Sequence, residues 1–69
     1  MILTPEQVKK ILKALGWSNI EAALKMGVTV DTIENWISGK SRCKGPSAIL
    51  LTGFARDKGL TLQDLARRS

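Results

Sequence analysis

Two helix boundaries lie almost back to back in this chain. Gly27 closes the helical stretch Asn19–Met26 and Thr29 opens the next one, with only Val28 between them. Glycine tolerates the left-handed backbone that ends a helix. Threonine accepts hydrogen bonds from the free N–H groups that begin one. Two short helices joined so tightly must cross at a steep angle and pack on each other. The crossing needs small residues, and Ala22 and Ala23 stand there. The second helix, Val30 to about Ser38, stops at Gly39 and needs an apolar side turned to the first. Val28, Ile33, Trp36 and Ile37 supply it, which leaves Val30, Asp31, Thr32, Glu34 and Asn35 facing outward.

The flanks read as further helices. Thr4-Pro5-Glu6-Gln7 is a capping box with proline at the first helical position. Val8, Ile11, Leu12 and Leu15 follow at i, i+3, i+4 and i+7, and Gly16 ends the run. Ser18 with Glu21 forms a second box ahead of the central pair. After Gly39 the segment Lys40-Ser41-Arg42-Cys43-Lys44-Gly45 holds three cations and no anion. Pro46 opens a helix carrying Ile49, Leu50 and Phe54 inward and ending at Gly59. Thr61-Leu62-Gln63-Asp64 starts a short last helix with Leu62, Leu65 and Ala66 inward, closed by Arg67-Arg68. Leu62 and Leu65 offer a dimer surface. No stretch shows strand alternation. The expectation is an all-α fold, a compact bundle of about five short helices forming one domain over residues 1–69.

Composition narrows the function classes. Eleven Lys/Arg against six Asp/Glu leave a net charge of +5, a field that attracts polyanions. There is no His and one cysteine, Cys43, so neither a zinc site nor an internal disulfide can be built. The lone thiol has no candidate base and the carboxylates are scattered, which argues against an enzyme. No cofactor or metal is expected. The longest apolar run, Ala48-Ile49-Leu50-Leu51, is far too short to span a bilayer. Met1-Ile2-Leu3 leads straight into Thr4-Pro5-Glu6 without a cationic start, so a cytoplasmic protein with no membrane role is expected. Gly39-Lys40-Ser41 spells the end of a phosphate-binding P-loop, but position 34, where that motif needs glycine, is Glu34.

The run Ser18 to Thr29, followed by Thr32-Ile33-Glu34-Asn35-Trp36 and Gly39-Lys40, resembles the Cro/Xre-type helix-turn-helix family, which includes phage repressors and many antitoxins. Ala23, Gly27, Ile33 and Trp36 fall at the family's spacing, and the likeness covers roughly residues 4–54. The chain departs from the pattern at Asn19, where glutamine is usual, at Ile37, where an acidic residue is common, and near Cys43, where antitoxin-type members tend to have proline. The resemblance implies a lambda repressor-like fold and sequence-specific binding of double-stranded DNA, with the helix 30–38 in the major groove. A homodimer reading a palindrome, and in the antitoxin variant a toxin partner, follow from the same likeness.

By that resemblance Val30, Asp31, Thr32 and Asn35 are the candidates for base contact. Asparagine can hold adenine through two hydrogen bonds, valine can touch a thymine methyl, and aspartate can accept from cytosine. Lys40, Arg42 and Lys44 are the candidates for phosphate contact, with Ser18, Asn19 and Thr29 at helix starts whose free N–H groups hold anions. Each has a plainer reading: a solvated helix face for the first group, a solvated basic loop for the second, and simple capping for Ser18. Trp17 and Trp36 read as core, and Glu34 as the partner of a neighbouring cation. Asp31 and Glu34 make the second motif helix acidic. That favours a competing class, a helical protein-interaction module that keeps the fold without binding DNA.

Overall fold

The computed structural model describes residues 2–60. Helices fill most of them: α1 Pro5–Leu15, α2 Asn19–Met26, α3 Val30–Ser38 and α4 Pro46–Asp57. The described residues hold four helices of the about five expected, and the last, at 61–68, lies outside them. So does the dimer surface expected at Leu62 and Leu65.

The all-α expectation needs one correction. Strand β1, Ile2–Leu3, pairs antiparallel with strand β2, Cys43–Lys44, in the register Ile2↔Lys44 and Leu3↔Cys43. The pleat turns Leu3 and Cys43 into the core and leaves Ile2 and Lys44 exposed. Two residues are too few to display an alternating pattern. The basic segment is therefore pinned to the start of the chain rather than hanging as a loop.

The helix ends follow their chemistry. The Gln7 N–H donates to Thr4 Oγ1 at 3.2 Å and the Thr4 N–H donates to Gln7 Oε1 at 2.9 Å, closing the capping box of α1. The Glu21 N–H donates to Ser18 Oγ at 3.1 Å, and the Thr32 N–H to Thr29 Oγ1 at 3.3 Å. At the turn between α2 and α3, Gly27 has φ 70°, and the Val28 N–H reaches back to the Ala23 carbonyl at 3.0 Å. That six-residue closure is a Schellman motif, and it reverses the chain within two residues.

Val8, Ile11 and Leu12 of α1, Ala22, Ala23 and Met26 of α2, and Ile33 and Trp36 of α3 close on one another as expected. Trp17 meets Phe54 edge-on, with ring centroids 5.0 Å apart. The expected inward face of α4 is corrected. Ala48, Leu51, Thr52 and Ala55 are buried, Phe54 is half-buried, and Ile49 and Leu50 face solvent. The reason is that α4 is apolar around most of its circumference, so periodicity cannot choose its buried side. Close approach to the rest of the bundle favours the side with the alanines. The hydroxyl of Thr52 is satisfied there by the Ala48 carbonyl at 2.6 Å.

Candidate nucleic-acid interface

α3 stands on α2 through Ile33 and Trp36 and shows its other side to solvent. Its outermost stripe is Asp31, Glu34 and Ser38, all exposed at i, i+3 and i+7. Thr32 and Asn35 flank that stripe and are half-buried. Val30 and Ile37 are also half-buried and pack against the core. Of the residues expected to face fully outward, Val30, Thr32 and Asn35 are only partly so.

Chemistry distinguishes these positions. The side-chain amide of Asn35 has no hydrogen-bond partner among the described residues. Its backbone carbonyl, by contrast, accepts from the N–H groups of Gly39 at 3.1 Å and Ser41 at 3.2 Å and from Ser38 Oγ at 3.3 Å. One residue thus closes α3, fixes the start of the basic segment and keeps two side-chain donors and an acceptor available. Asp31 lies in the first turn of α3, where the helix dipole favours a negative charge. It therefore has a structural occupation that competes with base contact. Glu34 forms no ion pair among the described residues, contrary to the expected pairing with a neighbouring cation.

Thr29 and Thr32 act as a unit. Their hydroxyl oxygens are 3.0 Å apart, and Thr29 Oγ1 also accepts the Thr32 N–H. Two hydroxyls carry two hydrogens, and their mutual bond uses one. A single donor therefore remains at the start of α3, on whichever threonine does not give its hydrogen to the other. Ser18 is placed similarly at the start of α2. Its oxygen accepts from Glu21, which leaves its hydrogen for an anion. Asn19 beside it is half-buried.

Lys40, Arg42 and Lys44 are all exposed. They follow α3 directly, at alternate positions, with Lys44 on β2 and Cys43 buried between the last two. Gly39 lies against Pro5, since a Cβ built on it would come 3.6 Å from Pro5 Cγ. The basic segment is thus tied to the start of the chain at the β ladder, and the end of α3 lies near Pro5. The sequence reading missed this anchoring. α4 starts at Pro46 as expected, and Gly45, which has no side chain with which to cap, leaves that start without a side-chain cap beside Lys44.

A family model described as helix-turn-helix, of the Cro/C1 type, matches residues 8–51. The chain belongs to the Cro/Xre-type helix-turn-helix family. The family is one of DNA-binding transcription regulators and is not enzymatic. The match takes in α2, the turn, α3 and the whole basic segment. No curated protein and no solved structure matches the chain. Among the described residues no helix is long and apolar enough to cross a membrane.

Proposed function

We propose that this protein is a sequence-specific double-stranded DNA-binding repressor that acts in the cytoplasm as a homodimer. The observation that carries the proposal is the junction at Asn35. There a groove-sized helix with an unengaged amide runs directly into a cationic segment pinned to the fold. In this reading α3 enters the major groove, with Asn35 and Thr32 nearest the bases, Val30 and Asp31 at the margins, and Thr29 at the helix start against a phosphate. Lys40, Arg42 and Lys44 neutralise phosphates on one side, and Ser18 and Asn19 at the start of α2 hold another phosphate. Two copies place their α3 helices one turn of DNA apart, ~34 Å, on a palindrome.

The test is fluorescence anisotropy with a labelled random-sequence duplex at two salt concentrations. Binding that weakens steeply with salt is expected, with dissociation constants of roughly 10⁻⁴ to 10⁻⁶ M at physiological salt. Selection from a random library then yields the operator. No binding even at low salt would overturn the proposal.

The exposed Asp31 and Glu34 favour a second reading, a protein-interaction module or an antitoxin whose main task is to hold a toxin. Two carboxylates on the outermost stripe repel phosphate. The interaction module predicts no duplex binding at low salt and a partner captured by pull-down, and the antitoxin variant predicts a toxin encoded next to the gene.

A further inference from the structure

We infer that two copies of this chain pair through the outer face of α2, laid antiparallel against the same face of the other copy. The inference deepens the homodimer reading and rests on it, but it is independent of DNA binding. Among the described residues Leu24, at 78% exposure, is the most exposed large apolar side chain, and Ile20, at 64%, is the next. They stand four apart on one side of α2, away from the buried Ala22, Ala23 and Met26. Glu21 and Lys25 run beside them at the same spacing and are also exposed.

The two charges are uncommitted within the chain. Glutamate four residues before lysine can pair with it along one helix. Glutamate at the third helical position can also reach back to the N–H of the cap. Glu21 does neither. Its backbone N–H donates to Ser18 Oγ at 3.1 Å, but its carboxylate has no partner among the described residues. The Lys25 ammonium has none there either. α2 thus turns two aliphatic groups and an opposite pair of charges to solvent.

The occupant is a second copy because this face is its own complement. A two-fold contact brings residue i onto j while j meets i. In an antiparallel crossing, Ile20 of each copy lies on Leu24 of the other, and Glu21 of each lies beside Lys25 of the other. The two pairings are offset by one residue, about 1.5 Å along the helix, which the long Glu and Lys side chains span. A parallel crossing would set like charges against each other. The aliphatic groups supply the affinity, and the exposed charges fix the direction. The stretch Asn19–Met26 holds one cation and one anion, so copies that each carry +5 meet there without net repulsion. A polyanion meets Glu21 on this face. The rival apolar pair on α4, Ile49 and Leu50, has no charge within 46–55 to orient a partner. Eight residues make a helix of about 12 Å, so the contact is short and the dimer weak.

The test is sedimentation equilibrium of the full chain from micromolar to near-millimolar concentration. A reversible dimer is expected. Leu24→Glu should raise its dissociation constant at least tenfold with an unchanged circular dichroism spectrum. Glu21→Lys and Lys25→Glu should each weaken it several-fold alone. Mixed together, those two variants should pair with each other, because each then supplies the charge the other lacks. A contribution of these residues to the fold of one copy would not produce that rescue. A chain that stays monomeric throughout, a dimer indifferent to Leu24→Glu, or a mixture without rescue would overturn the inference. So would a dimer lost instead through Ile49→Glu or Leu65→Glu, which leaves the homodimer reading standing. A monomer that still binds duplex sinks the α2 contact and keeps the DNA reading. A dimer broken by Leu24→Glu that ignores duplex keeps the contact and sinks the DNA reading.

Discussion

Asn35 secures the end of α3 with its backbone, and its side-chain amide has no partner among the described residues. Asn35→Ala should therefore leave the fold intact and relax base preference at one operator position by roughly 1–3 kcal/mol. Competition binding against single-substitution operators reads this directly, and an equal loss on every sequence would exclude a base contact. Cys43 is the opposite case, a side chain wholly taken up by the core. Burial disfavours its thiolate and pushes its pKa from the ordinary 9.0 to about 11. The thiol should react with alkylating reagents at pH 8 only after denaturant is added. The shift also carries a sign for stability. The unfolded chain releases this proton near pH 9 while the folded chain holds it to about 11, so the contribution is complete below pH 9. It is lost progressively as pH rises toward 11. Cys43→Ala should abolish this part of the alkaline destabilisation seen in urea titrations.

The helix starts and stops were plain in the sequence because they depend on a few local residues. Thr4 with Gln7, Ser18, Gly27, Thr29 and Gly39 each do at close range what their chemistry favours. Thr29→Ala removes the cap of α3 and should cost about 1 kcal/mol in urea unfolding, with the loss localised to α3 by amide exchange. The inward side of α4 was not legible, because its residues are apolar on nearly every side and only packing selects among them. Leu51→Ala should cost about 2–5 kcal/mol, whereas Ile49→Ala should change monomer stability by less than about 0.5 kcal/mol. Equal costs would mean that the buried side is misassigned. The β ladder was illegible for another reason, since its two strands are too short to show a period and lie far apart in the chain. In the candidate site, the outward side of α3 could be read from spacing, and the contact roles on it were implied by the family resemblance. The partial burial of Val30, Thr32 and Asn35 was not legible, because it depends on how α3 is rotated on α2.

At the scale of the whole molecule, charge and shape divide the labour. Under the proposed function the cations after α3 contribute affinity without discrimination. Lys40→Ala should weaken binding evenly across sequences and reduce the slope of log K against log salt by about one. A change confined to one operator would instead mark a base contact. The short ladder between Leu3 and Cys43 bears on when this surface comes into being. Joining residues so distant in the chain yields nothing until the helices between them have docked, because the entropy of closing the loop must be met first. The ladder is therefore expected to form late, after α2 and α3 have packed, with the cationic segment untethered until then. Under the proposed function, a firm hold on the DNA backbone is thereby reserved for molecules that have finished folding.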